Sequence, residues 1–196
     1  CALVHGIHME KVGKADCGRG AQDFTSAIPA CDGLYTNEKN VPLGLNYADC
    51  TPLLFYDPVT SSIAVAHGGW RGTAGNIAGE AVRHLQESYG AEPKNIKAGI
   101  GPAIGKSVFE VEKDVVEAFE KIFDEEEMKR LSAPKGEGKI LIDLPLANRM
   151  LMERAGILPE NIEDCGICTY CRNDLFYSYR KAAGRTGRHM AVMMLK

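Results

Sequence analysis

The sequence predicts a mixed α/β fold, a single domain across residues 1–196, and three observations carry that expectation. Apolar runs of strand length alternate along the chain with amphipathic helical patterns, the order of an α/β protein. Two of the runs, Pro52 to Tyr56 and Ile63 to Ala66, flank Asp57-Pro58-Val59-Thr60-Ser61-Ser62, and Asp-Pro followed by small hydroxyl residues reads as a β-hairpin turn. An antiparallel hairpin at the centre fits a mixed sheet better than a purely parallel, doubly wound one. With 45% of 196 residues hydrophobic, the chain can bury a substantial core without dividing.

Taken in order, Ala2 to Val12 reads as a strand with Leu3, His5, Ile7 and Met9 on one side. The glycines and polar residues of Gly13 to Ser26 mark a loop, and Asp32-Gly33 is a turn signal before Leu34-Tyr35-Thr36. Val41 to Leu45 leads into the hairpin. Beyond the hairpin, Gly68-Gly69-Trp70-Arg71-Gly72-Thr73 precedes a helical pattern, so backbone N–H groups and Arg71 converge where an anion would sit. That helix shows in Ile77, Ala78, Ala81, Val82, Leu85 and Tyr89, with Gly90 as its stop.

Ile96 to Ile100 is a short strand ending in the glycine-bounded loop Gly101 to Gly105. A second helix has Val111, Val115, Phe119 and Ile122 as its stripe, followed by the acidic segment Asp124 to Glu127. Ser132 to Lys139, with Pro134, Gly136 and Gly138, is expected to be a mobile surface loop. Lys139 to Ile142 is a strand, Asp143 caps the next helix and Gly156 ends it. Ile162 to Cys168 and Ala191 to Leu195 read as further strands.

Composition excludes some partners. A net charge of -3 without a basic block argues against nucleic acid. No run approaches the roughly eighteen apolar residues of a membrane span, so no membrane is expected. Seven cysteines without a signal-peptide layout point to reduced thiols or metal ligands in a cytoplasmic protein.

A hairpin loop centred between Pro58 and Val59 sets Cys50 directly across from His67. Three readings stay open. His67 activates a Cys50 thiolate in a cysteine hydrolase; Cys50 and His67 are two ligands of a metal whose third is His5; or two strand-end residues merely lie close together. One Cys and two His would leave a fourth tetrahedral position free, the catalytic rather than the structural pattern. Arg71, with Gly72 and Thr73, suits phosphate or carboxylate, against an ordinary surface arginine. Trp70 fits packing better than stacking. Cys165, Cys168 and Cys171 have knuckle-like spacing but no evident fourth ligand, and read as structural thiols. Ser178, Arg180, Lys181, Arg185 and Arg188 form either a solvated basic face or a seat for an anionic substrate.

Val4-His5-Gly6, Tyr47-Ala48-Asp49-Cys50-Thr51-Pro52, Ala66-His67-Gly68-Gly69-Trp70-Arg71-Gly72-Thr73, Ile100 to Gly105, Phe109-Glu110-Val111, and Cys168-Thr169 through Phe176-Tyr177-Ser178-Tyr179-Arg180 resemble the laccase-domain family. Its members have been labelled both multicopper polyphenol oxidases and purine nucleoside phosphorylases. The resemblance implies a four-layer α-β-β-α fold like that of cytotoxic-necrotizing-factor-like cysteine hydrolases. It also implies zinc on His5, Cys50 and His67, and phosphorolysis of adenosine, guanosine, inosine and methylthioadenosine, with adenosine deamination. Purine nucleoside and phosphate are then the partners of a monomer or homodimer. Arg71, Gly72, Thr73, Ser178 and Arg180 are expected to hold substrate, and Asp49 or Glu110 to protonate the departing base. The rivals are a copper-dependent polyphenol oxidase, for which five histidines are few, a cysteine hydrolase, and a binding module whose zinc only stabilises the fold. The sequence departs from the family at Leu3, where members commonly have Gln, and at Lys181, where many have Arg. Members also usually begin with an extra N-terminal segment, so part of the sheet or pocket is expected to lie outside this chain.

Overall fold

Alternating apolar residues and well-formed turns fold the chain into eleven strands and five helices in a computed structural model, which describes residues 1–136 and 138–196. In chain order the strands are β1 (Met9–Lys11), β2 (Gly33–Thr36), β3 (Leu43–Tyr47), β4 (Thr51–Asp57), β5 (Ser62–Gly68), β6 (Lys97–Ile100), β7 (Glu110–Val111), β8 (Ser132–Gly136), β9 (Lys139–Ile142), β10 (Ile162–Asp164) and β11 (His189–Met193). The helices are α1 (Trp70–Ala74), α2 (Ile77–Tyr89), α3 (Lys113–Glu120), α4 (Glu125–Leu131) and α5 (Leu144–Arg154). The main sheet runs β1-β2-β5-β4-β6-β10, parallel at its two outer pairs and antiparallel between, so the fold is mixed α/β in a single domain as expected.

The hairpin β4–β5 sits at the middle because both its faces are apolar, and seven of seven residues of β5 are buried. Asp57 fixes its turn: the carboxylate accepts from Val59 N at 3.0 Å and from Thr60 Oγ1 at 2.7 Å, the local bonding that favours Asp in turns. On one face, the buried stripe of α2 (Ile77, Ala78, Ala81, Val82, Leu85) joins Leu53, Phe55, Ala64 and Ala66 in the larger core, with Phe119, Leu144 and Leu151 from the other helices. On the opposite face, the antiparallel pair β3–β11 closes a smaller core of Leu34, Leu43, Leu45, Tyr47, Ile63 and Val65. The layers in the described residues thus run helices, main sheet, two-stranded sheet. No described helix covers the outer face of β11, where Met190 and Val192 are exposed.

Several local expectations are corrected. The hairpin register puts Pro52, not Cys50, opposite His67, because the turn closes one residue later than a Pro58/Val59 centre would have it. That displaces one strand by two residues, which preserves the face of every side chain, so Cys50 and His67 still point the same way. Residues 2–8 are not a strand; β1 begins at Met9, and His5 lies in a bend with φ 60°. Val111 belongs to β7 and precedes its helix. Within the expected mobile loop Ser132 to Lys139, Ser132–Gly136 is a strand, β8, that pairs with β9 from Lys139 onward; residue 137 lies outside the described residues. The last two strand expectations shift to Ile162–Asp164 and His189–Met193. Helix α2 and its stop are where the periodicity places them: Asn76 caps Gly79 N at 3.1 Å and Gly90 N bonds Gln86 O at 2.8 Å.

Phe55 is fully buried between α2 and the sheet. Phe55→Ala is expected to cost about 3 to 5 kcal/mol, read as a lower urea midpoint at unchanged slope.

Candidate metal centre

The end of β5 carries His67, the residue before β4 is Cys50, and the bend at residues 4–6 brings His5 over both. One ligand atom from each of His5, Cys50 and His67 lies within 4.8 Å of the others, and this is the one such group of three or more His, Cys, Asp or Glu among the described residues. The two imidazoles meet edge to face with centroids 5.0 Å apart. Beneath them is Gly69: a Cβ there would stand 3.1 Å from Cys50 Sγ and 3.3 Å from His5 Cδ2, so a larger residue would crowd the space between the donors. Soft thiolate and imidazole donors around an uncrowded hollow fit zinc, and also copper.

Asp32 organises this cluster, and it was read from the sequence only as part of a turn. Its side chain is wholly buried, yet its oxygens accept from His5 N at 2.9 Å, Gly6 N at 2.7 Å and Val4 N at 3.3 Å. Its Oδ1 also lies 3.3 Å from Nδ1 of buried His67, an ionic contact without the alignment of a full hydrogen bond. Buried charge demands such partners, and the carboxylate obtains them from the loop bearing one ligand and the strand bearing another. Gly72 completes the join, because a Cβ there would meet Gly6 O at 3.0 Å and His67 O at 3.1 Å.

The electrostatics favour a charged pair. Burial pushes the Cys50 thiol up, but His5 and His67 interact with it strongly enough to bring it down to about 7. Burial likewise opposes charge on His67, while Asp32 and then Cys50 outweigh it and raise that imidazole to about 9. Desolvation works against ionised Asp32 too, and its contacts to His67 and Gly6 still hold it below the ordinary carboxylate range.

A cleft of about 580 Å³ opens over the three donors, lined also by Leu3, Asp49, Phe109, Tyr179, Arg180 and Arg188. A neighbouring cleft of about 400 Å³ holds Trp70, Arg71 and Glu110, and Phe109 and Arg180 line both. A third hollow of about 270 Å³, mostly apolar, lies against β3 and β11, with Asp16 and Arg19 paired at 3.0 Å, and has no ligand cluster.

The other expected site residues fall into different places. Arg71 stacks on Trp70 at 4.1 Å in the neighbouring cleft, not beside the three donors. Gly72 and Thr73 are buried, Thr73 Oγ1 being bonded to Asn148 Nδ2 at 2.9 Å. Ser178 is buried and its Oγ accepts from Lys181 N at 3.1 Å, a turn contact. Asp49, with φ 86°, accepts from Thr169 Oγ1 at 2.6 Å and from Arg180 N at 2.7 Å, which ties the C-terminal loop to the residue before Cys50. Glu110 is paired with Lys135 and Lys139, which hold its carboxyl down to about 2, so it is ionised at neutral pH and has no proton to give. Not all seven thiols are reduced as expected: Cys1 and Cys31, with Cα atoms 5.8 Å apart, form a disulfide.

A family model described as "Multi-copper polyphenol oxidoreductase laccase" matches residues 1–196. The chain is 42% identical to "Purine nucleoside phosphorylase YlmD" of Geobacillus stearothermophilus, over 98% of this chain and 70% of that protein. It is 36% identical to "Adenosine deaminase RL5" from an unknown prokaryotic organism, over 83% of this chain and 62% of that one. The crystal structure of YlmD from Geobacillus stearothermophilus superimposes with a TM-score of 0.95 at 39% identity, covering 100% of this chain and 73% of the other.

Two outcomes follow from the contacts of Asp32. In metal-free protein the Cys50 thiolate, the reactive form, accumulates as pH rises through about 7. Its alkylation by iodoacetamide therefore climbs to a plateau above pH 7 instead of continuing upward to the ordinary thiol value of 9.0. In Asp32→Asn the imidazolium is less supported and the midpoint moves upward; an unmoved midpoint refutes the coupling. The same substitution lowers metal affinity by about 10- to 100-fold, read by competition with a chromogenic chelator.

Proposed function

Because the chain belongs to the multi-copper polyphenol oxidoreductase laccase family, whose members similar to it include proteins named purine nucleoside phosphorylase and adenosine deaminase, we propose that it is a zinc-dependent purine nucleoside phosphorylase that also deaminates adenosine and accepts methylthioadenosine. The observation that carries this reading is the convergence of His5, Cys50 and His67 at the floor of a cleft large enough for a nucleoside. Zinc held by His5, Cys50 and His67 would supply a Lewis acid for a water or a substrate oxygen. The protein's own part is placement. Asp32 holds the two imidazoles in position, and Gly69 keeps the space between donors open. Phe109 offers an apolar wall for the base. Arg180, which lines both clefts, is the guanidinium best placed for phosphate, with Arg188 on the ligand side and Arg71 on the far side. Asp49 acts by positioning, since both its oxygens are engaged. The partners of this reading are purine nucleoside and phosphate, in the cytoplasm; no helix among the described residues is long and apolar enough to cross a membrane.

One observation favours a second reading. Asp32, His67 and Cys50 stand in the order of a carboxylate–imidazole–thiol triad, with Asp32 at 3.3 Å from Nδ1, which suits a cysteine hydrolase. That arrangement gives His5 no role, whereas the metal reading uses all three donors. For copper oxidation, the remaining histidines add nothing: His8 pairs with Glu10, His84 stacks on Tyr35, and His189 lies between Tyr47 and Phe176.

Protein purified without added metal is expected to carry zinc, and adenosine incubations to yield adenine only when phosphate is present and inosine without it. If zinc-loaded protein forms neither adenine nor inosine, the proposal is overturned. Cys50→Ala is expected to lose metal and turnover together; activity surviving in that variant would remove the ligand role. Arg180→Ala should raise KM for phosphate by about tenfold or more, with little change in KM for inosine.

A further inference from the structure

The cysteines near the C-terminal loop have no part in the proposed activity, and their geometry separates one of them from the other two. Cys165 follows β10 and its N–H bonds Ile100 O at 3.1 Å, and it joins no three-donor group, so the knuckle spacing does not gather three sulfurs. Cys168 and Cys171 share a tight turn closed by Arg172 N to Cys168 O at 2.9 Å. Gly105 N donates to Cys168 Sγ at 3.2 Å, so that sulfur is held against the backbone of the loop that follows β6. Cys168 is partly buried and Cys171 is exposed. A partly buried sulfur that accepts from a backbone N–H, in one turn with a second sulfur three residues on and open to solvent, is the layout of an attacking and a resolving thiol.

We propose that Cys168 and Cys171 are a redox-active dithiol that closes to a disulfide by exchange with a low-molecular-weight disulfide such as oxidised glutathione. The Cys168 thiolate attacks one sulfur of the small disulfide, forming a mixed disulfide and releasing one small thiolate. Cys171 then gives up its proton and attacks the Cys168 sulfur, and the second small thiolate leaves as the Cys168–Cys171 bond forms. Two protein thiols are oxidised, one small disulfide is reduced, and the two protons pass to the released thiolates. Burial opposes the Cys168 thiolate, but the surrounding donors outweigh it and lower that thiol, while the neighbouring sulfur raises Cys171, matching the roles of attacker and resolver. The site is physically linked to the candidate centre without depending on its chemistry: Thr169, next in sequence, holds Asp49 at 2.6 Å, and Gly105 follows Ile104 in the cleft wall.

The test is to equilibrate the full metal-loaded chain with mixtures of reduced and oxidised glutathione, quench by alkylation, and map peptides by mass. The expected result is a Cys168–Cys171 cross-linked peptide that opens again under a dithiol reductant. In Cys171→Ser, a glutathione adduct is expected to accumulate on Cys168, and Cys165→Ser should leave the cross-link unchanged. In Cys168→Ser, Cys171 should react with oxidised glutathione at least about tenfold more slowly than Cys168 does in Cys171→Ser. Free alkylation of both thiols at every ratio, a bond formed instead through Cys165, or equal reactivity in the two single variants would each overturn the proposal, and none needs any measurement of nucleoside turnover.

Discussion

The burial of one carboxylate constrains the candidate site. Asp32 has no exposed surface, and an ionised oxygen pair in such a place is tolerated only if charge and N–H groups are brought to it. Three backbone N–H groups of residues 4–6 and the imidazole of His67 answer that demand. Its own backbone is also committed, donating to His8 O at 2.8 Å and accepting from His67 N at 2.7 Å. His5 consequently sits at φ 60°, a conformation that costs a side-chain-bearing residue roughly 1 kcal/mol or more, and the carboxylate contacts offset it. A candidate ligand held by its main chain in this way has few alternative positions, which is what a preorganised metal site requires.

A second buried carboxylate repeats the device on the other side of Cys50. Asp49 uses one oxygen for Thr169 and the other for Arg180 N, and its carbonyl accepts from Ile104 N at 2.9 Å. The segment from 169 to 180 is therefore anchored beside the thiol, and Arg180 is carried to the boundary of the two clefts. The two aspartates divide the work: Asp32 orients the candidate ligands His5 and His67, and Asp49 anchors the wall that faces them. The smaller core between β2, β3 and β5 gives both a rigid backing, with Tyr47 bonded through its hydroxyl to Ala66 O at 3.0 Å.

Family membership and donor count bear differently on the chemistry. The family carries a copper oxidase label, yet a multinuclear copper centre needs more imidazole clusters than the single His-Cys-His group of the described residues. That group suits one ion with an open position. The arginines follow the clefts rather than the motifs: Arg71 stands in the most distinctive sequence signature, whereas Arg180 and Arg188 line the cleft above the three candidate donors.

By itself the sequence determined what local pattern can encode. Helical period fixed α2 from Ile77 to Tyr89, the Asp-Pro turn fixed the β4–β5 hairpin, and side-chain parity put Cys50 and His67 on one face even though the pairing lies two residues from the expected register. The chemical types of the three donors were legible for the same reason. Tertiary structure alone decided that residues 2–8 bend instead of extending, that Asp32 is buried and binds two ligand-bearing segments, and that Cys1 meets Cys31. It also decided that Thr73 and Ser178 turn inward and that Glu110 is held ionised between two lysines. Periodicity reports which face a residue takes, but desolvation and charge pairing depend on neighbours distant in sequence, and those exist only once the chain has closed.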